Sequence, residues 1–237
     1  MPTKVIRIAT VLALVALSLV FGSQLQAQIG GGQIPSKENL DLPYDSYGLN
    51  ENEEDAPEVV VFYGQSFEGD GIFYCLDRSS STCNGELAIE KRETIRNIME
   101  FSTRVEFGIV FYDRGMKKFP ASGRPMKANA GGKAGAISFL SSTQCGSGTC
   151  VKLGLLECLN YVGQSSAKRN IVIYLGDGGT TCPGADSSQY REQTLQEVKS
   201  RNFKNAQINA VHVGNDADVF SKQLAAQNGG TFSKVVR

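Results

Sequence analysis

Ile72-Phe73-Tyr74-Cys75-Leu76-Asp77-Arg78-Ser79-Ser80-Ser81 passes without transition from five apolar residues to a polar loop that begins with an acid. Ile171 to Leu175 (IVIYL) has the same form and also runs straight into an acid, in Gly176-Asp177-Gly178-Gly179. Both runs have strand length and are rich in β-branched and aromatic residues. Runs that are apolar at every position, rather than at alternate ones, belong to strands covered on both faces of a sheet.

Working outward, further strands are expected at Val59 to Tyr63 (VVVFY), Val105 to Tyr112 (VEFGIVFY), Ala206 to Val213 and Thr231 to Val236. Gly64 to Gly71 supplies turn residues, and Gly115 to Phe119 reads as a short partner across a tight turn. Helical spacing appears in Leu87, Ile95, Ile98 and Phe101, which predicts a surface helix from about Glu86 to Ser102. A second helix is expected over Ala128 to Leu140. After the small-residue loop Ser141 to Thr149 comes a third, with Val151, Leu155, Leu156, Leu159 and Val162 along its apolar side. Ser187 to Asn202 and Asp216 to Gln227 complete the set, the last stopped by Asn228-Gly229-Gly230. Strands alternating with helices imply the α/β class: a doubly wound, mostly parallel sheet flanked by helices in a three-layer sandwich. Right-handed crossovers restrict the topology to a few candidates.

The first part of the 237-residue chain has a different chemistry. Lys4 and Arg7 precede an apolar run from Ile8 to Phe21, then Gly22, Ser23 and Ala27, the pattern of a signal peptide over 1–27 with cleavage after Ala27. Leu25 is not the small residue such a site favours, and an uncleaved N-terminal anchor is the alternative. The run falls short of the roughly 20 residues of a bilayer span, and no later stretch comes close. Residues 28–57 carry Gly30-Gly31-Gly32, Pro35, Pro43 and seven acids against Lys37 alone, with few apolar residues, and read as an acidic flexible linker. Residues 58–237 form the folded domain. The whole chain has 24 basic and 24 acidic residues. Three of those bases and all seven of those acids precede Glu58, leaving 21 against 17 and the domain near +4. No basic stripe with interleaved aromatics is present, which argues against nucleic acid as a partner. The leader implies export to a periplasmic, secreted or cell-surface location, with no membrane span after cleavage.

Ligands of an open doubly wound sheet collect at the C-terminal ends of its strands, where strand order reverses. Three loops of this sequence fall at that edge: Asp77, Ser79 and Ser81 after one strand, Thr149 at the head of a helix, and Asp177 after another strand. All five offer oxygen. Such donors suit a hard cation, Mg²⁺ at about 2.1 Å, with Mn²⁺ or Ca²⁺ as the alternatives. The i, i+2, i+4 spacing of Asp77, Ser79 and Ser81 lets alternate side chains of an extended loop converge while the intervening ones face away. The plainer reading is that Asp77 and the serines cap the following segment, and that Thr149 caps the helix starting near Val151.

Taken together, Asp77-Arg78-Ser79-Ser80-Ser81, the downstream Gly148-Thr149 and Leu175-Gly176-Asp177-Gly178 resemble the metal-ion-dependent adhesion site (MIDAS) of von Willebrand factor type A domains. The resemblance spans Ile72 to about Val236, in the expected order. It implies that Asp77, Ser79, Ser81, Thr149 and Asp177 hold Mg²⁺ directly or through water. It further implies that a carboxylate of a protein or an extracellular or envelope ligand completes the shell. Ser80 stands where the family commonly has glycine, Thr82 where it has methionine, and Gly176 where it has threonine or serine; Cys150 beside Thr149 is also unusual.

Six cysteines in an exported chain point to disulfides. A zinc site lacks a second close cysteine pair and has His212 as the only histidine of the sequence. Cys83, Cys145, Cys150 and Cys182 map to the metal edge, where two disulfides would brace the loops. The pairing favoured is Cys145 with Cys150 and Cys83 with Cys182, leaving Cys75 and Cys158 as buried thiols.

The expected function is metal-dependent binding of a protein or surface ligand, not catalysis. A hydrolase at the same ion is the enzymatic rival. His212 lies in a strand, Gly64-Gln65-Ser66-Phe67-Glu68 stops one residue short of a nucleophile elbow, and neither a P-loop nor G-x-G-x-x-G is present. A haloacid-type phosphatase would need an acid where Ser79 stands. A third reading is a structural module of an envelope assembly whose metal site is vestigial.

Overall fold

Glu58–Phe62 (β1) and Gln65–Gly69 (β2) open the described part of the chain as an antiparallel hairpin. The computed structural model describes residues 57–182, 187–215 and 217–236; the expected leader, the acidic segment up to Ala56 and Asp216 lie outside them. Gly71–Asp77 (β3), Glu106–Tyr112 (β4), Met116–Phe119 (β5), Met126–Lys127 (β6), Asn170–Gly176 (β7), Gln207–Val213 (β8) and Phe232–Val235 (β9) share one sheet. Its order is β5-β4-β3-β7-β8-β9, with β6 also pairing β4. The pairs β4-β3, β3-β7, β7-β8 and β8-β9 are parallel, and β5 and β6 run antiparallel to β4.

Every residue of β3, β4 and β7 is buried, as the apolar runs at their centres require, and the polar Asp77, Glu106 and Asn170 at their ends are buried with them. Alternate side chains divide between two cores. Ile72, Tyr74 and Leu76 of β3 meet Leu87 and Ile98 of Glu86–Glu100 (α1), Ala136 and Leu140 of Ala130–Ser142 (α2), and Val60 and Phe67 of the hairpin. Phe73 and Cys75 face the other way, onto Val151, Leu155 and Leu159 of Val151–Gln164 (α3). There they join Tyr190 and Val198 of Ser187–Arg201 (α4) and Phe220 and Leu224 of Val219–Gln227 (α5). Each large apolar side chain so buried contributes about 1.5–3 kcal/mol. The result is the expected doubly wound α/β sandwich.

Two elements differ from the expectation. The stretch Gly64 to Gly71, read as turn, contains β2. Tyr63 (φ 49°) and Gly64 (φ 75°) form a two-residue turn with both φ positive, which matches the twist of a hairpin. Phe67 is the only large apolar residue of the returning strand, so its period-2 pattern was carried by one residue. β6, at two residues, is too short to have a periodicity.

The connection from β3 enters α1 on one face, and that from β7 leads to α4 on the other. Loops leaving in opposite directions open a crevice at the C-terminal ends of these two neighbouring strands. Leu76 pairs with Leu175 across them, so Asp77 and Asp177 emerge at nearly the same height.

Candidate metal centre

Asp77 is the last residue of β3 and is 1% exposed. Its Oδ1 accepts the Ser79 amide at 2.7 Å, folding the chain back into the 3₁₀ turn Ser80–Asn84. Ser79 Oγ and Ser81 Oγ are 2.9 Å apart, and Ser81 Oγ donates to Asp177 Oδ2 at 3.4 Å. Asp177 Oδ1 accepts the Gly179 amide at 2.8 Å, which orients this second carboxylate in the same way as the first. Four of the five candidate residues are therefore linked by their own polar atoms across the β3/β7 crevice.

Thr149 arrives by its backbone. Its carbonyl accepts the Thr181 amide at 3.1 Å and Thr180 Oγ1 at 2.9 Å, so it sits against the loop that follows Asp177. Cys150, not Thr149, is the N-cap residue of α3, which removes the capping role as an account of Thr149. Ser79 makes no side-chain cap either, and α1 is preceded by Gly85.

Asp77 Oδ2 is buried without a hydrogen-bond partner. Burial is the main reason that the Asp77 pKa rises from 3.8 to about 7. The Ser79 amide and hydroxyl work against the rise, Asp177 reinforces it, and the Tyr112 hydroxyl opposes it more weakly. Behind the loops, Glu90 of α1 is buried with Oε2 unpartnered; burial first, then Asp77 and Asp177, raises its pKa well above the carboxylate range. Glu90 escaped the sequence reading, although Leu87, Glu90, Thr94 and Ile98 share one helical face and an acid on that face was the available signal.

Arg78, between two candidate ligands, faces away from the crevice and holds the third loop in place. It pairs with Asp113 at 2.7 Å and donates to the Gln144 carbonyl at 3.0 Å, while its own carbonyl accepts the Gly146 amide at 2.6 Å. Asp113 O in turn accepts the Cys150 amide at 2.8 Å.

This placement corrects the disulfide pairing. The bonds join Cys83 to Cys145 and Cys150 to Cys182, with Cα separations of 5.7 and 4.7 Å, rather than Cys145 to Cys150 and Cys83 to Cys182. The segment 144–150 crosses between the two crevice loops. Its start is drawn to the Asp77 loop through Arg78, and its end to the Asp177 loop through the Thr149 carbonyl. Near neighbours in sequence therefore meet different partners. Cys75 and Cys158 are buried thiols, as expected.

The donor set around the orphaned Asp77 oxygen is carboxylate and hydroxyl oxygen only, which fits a hard divalent cation. Among the described residues, no group of three or more His, Cys, Asp or Glu is placed to hold a metal ion. His212 is buried within β8, its Nδ1 3.1 Å from Ser221 Oγ.

No protein-family model matches the sequence, and no curated protein resembles it. Solved structures do. A von Willebrand factor type A protein from Catenulispora acidiphila is 15% identical with a TM-score of 0.60, over 76% of this chain and 46% of that one. The pilus adhesin SpaC of Lactobacillus rhamnosus GG is 13% identical with a TM-score of 0.57, over 76% and 30% of the two chains. Proximal thread matrix protein 1 of the mussel byssus, whose structure has a zinc-occupied MIDAS motif, is 20% identical with a TM-score of 0.50, over 76% and 45%. The match covers less than half the length of each of these proteins. At such identities the likeness is one of fold, and the fold of this chain is that of a von Willebrand factor type A domain.

Proposed function

We propose that this chain is an exported binding module that holds Mg²⁺ with Asp77, Ser79, Ser81, Thr149 and Asp177 and binds a protein or surface ligand through a carboxylate that completes the ion's shell. The observation that carries the reading is Asp77 Oδ2, a buried carboxylate oxygen without a partner, on a residue joined through Ser79 and Ser81 to a second acid, Asp177. An isolated buried charge is costly, and a cation is the partner that oxygen donors of this kind accept. Asp77 and Asp177 would supply the charge, Ser79, Ser81 and Thr149 neutral oxygens, and the ion an electrophilic position for an acidic side chain. The similarity to a pilus adhesin and to a protein with an occupied MIDAS motif supports an interaction role. Two disulfides support an oxidising location. Among the described residues no helix is long and apolar enough to cross a membrane. His212, held by Ser221 inside the sheet, is poorly placed as a base, which favours binding over hydrolysis.

Calorimetric titration with Mg²⁺ tests this: the parent binds, while Asp77→Ala and Asp177→Ala bind at least tenfold more weakly. Equal affinities in parent and variants would remove the reading. A pull-down from envelope and secreted fractions in Mg²⁺ against EDTA then isolates the ligand, and melting that is indifferent to Mg²⁺ would favour a vestigial site.

A further inference from the structure

Two buried hydroxyls lie beneath the crevice, and neither is one of the five candidate ligands. Tyr112 and Tyr174 are fully buried, with rings stacked at 6.2 Å and 15°. Tyr112 is the cross-strand neighbour of Asp77, and both side chains lie on the α3 side of the sheet. A Cβ on Gly176 would stand 2.7 Å from Tyr174 Oη and closer still to Tyr112 Oη. The two hydroxyls thus occupy the space that a side chain at position 176 would need, directly before Asp177.

Their hydrogen bonding is incomplete. Tyr112 Oη donates to the Leu175 carbonyl at a long 3.3 Å, and Tyr174 Oη, like Asp77 Oδ2, has no partner although buried. Buried polar groups in folded proteins are nearly always paired, so an under-satisfied carboxylate beside two under-satisfied hydroxyls calls for an explanation. Ligand-holding groups are themselves commonly held by a second ring of hydrogen bonds that sets their orientation.

We propose that Tyr112 is a positioning residue for the ion: its hydroxyl turns from the Leu175 carbonyl to donate to Asp77 when a cation is bound, and Tyr174 donates to Tyr112 in turn. This requires a small approach of the three side chains together with rotation about the two C–O bonds, because neither Asp77 Oδ2 nor Tyr174 Oη has a hydrogen-bond partner where it stands. The rearrangement links the three polar groups in one chain, Tyr174 to Tyr112 to Asp77, and because a carboxylate oxygen has two lone pairs, Asp77 Oδ2 can accept the hydroxyl and still face the ion. The inference deepens the metal-binding reading and rests on it. It also accounts for Gly176, since any larger residue there would displace the hydroxyls.

The full chain has eight tyrosines and no tryptophan, so its near-ultraviolet absorbance reports tyrosine hydroxyls. Mg²⁺ titration of the full chain, followed both by calorimetry and by near-ultraviolet difference absorbance, should give binding accompanied by a tyrosine difference band. Tyr112→Phe should lose the band and bind Mg²⁺ about 10- to 100-fold more weakly. Tyr174→Phe should weaken binding less. Tyr161→Phe, whose hydroxyl bonds the Pro120 carbonyl instead, should keep both band and affinity. Binding by the parent without a tyrosine band, or unchanged affinity in Tyr112→Phe, overturns the positioning role and leaves the metal site standing. A parent that binds no Mg²⁺ overturns both. If Tyr112→Phe does not fold, a band reduced in Tyr174→Phe and kept in Tyr161→Phe supports the pair, and a band unchanged in both overturns it.

Discussion

Without metal, the protein should gain stability when Asp77 loses its charge. The side chain is buried, one oxygen has no partner, and burial above all raises its pKa from 3.8 to about 7. The folded protein therefore holds this proton more tightly than the unfolded chain does. The resulting stabilisation is fully present below the unfolded value and is lost as the pH rises through the folded one. The rise from 3.8 to about 7, at about 1.36 kcal/mol for each tenfold gain in proton affinity, amounts to roughly 4 kcal/mol at alkaline pH. That is a large part of the roughly 5–15 kcal/mol by which a domain is stable. Asp77→Asn keeps the shape and removes the ionisation. Urea denaturation in EDTA, between about pH 5 and pH 8, should show the parent losing a few kcal/mol relative to the variant as the pH rises. Mg²⁺ added at the upper end should restore the parent and leave Asp77→Asn unchanged. Parallel curves of stability against pH for the two proteins would refute the claim that an uncompensated carboxylate sits in the crevice.

Gly176→Ala should cost about 1–3 kcal/mol, because the new methyl group meets two hydroxyls on stacked, fully buried rings. Part of that loss should return in the double variant with Tyr112→Phe, which removes the nearer oxygen; a strictly additive pair in urea melts would contradict the packing described. Tryptic digestion of the native protein should yield one reducible cluster of three peptides, carrying Cys83, both Cys145 and Cys150, and Cys182. A Cys145–Cys150 bond would instead leave their shared peptide alone. Replacing Cys83 and Cys145 by serine opens a loop with a sequence separation of 62, which by chain entropy alone destabilises the domain by about 4 kcal/mol in chemical denaturation.

Much of the architecture was legible because it follows from local chemistry. Ile72 to Leu76 and Ile171 to Leu175 are apolar at every position, which calls for a sheet covered on both faces, and the intervening helical stretches supply the cover. The polar residues that end them had to emerge at one sheet edge once the strands ran parallel. The hairpin partner β2 escaped notice because a strand with one large apolar residue has no pattern to detect. The two tyrosine hydroxyls escaped for a different reason: tyrosine in an apolar run reads as core, and its oxygen acquires a meaning only from what stands across the sheet.

By itself, then, the order of residues determined the class of fold, the three loops that approach one another and the oxygen character of their side chains. These depend on periodicity and on which atoms each residue carries. Tertiary structure alone decided that Cys145 turns toward Cys83 while Cys150 turns toward Cys182, that Asp77 keeps one oxygen unpaired, and that Tyr112 lies beside it. Those outcomes depend on strand register and on the path of one loop between two others, and neither is a property of any stretch of sequence short enough to be read on its own.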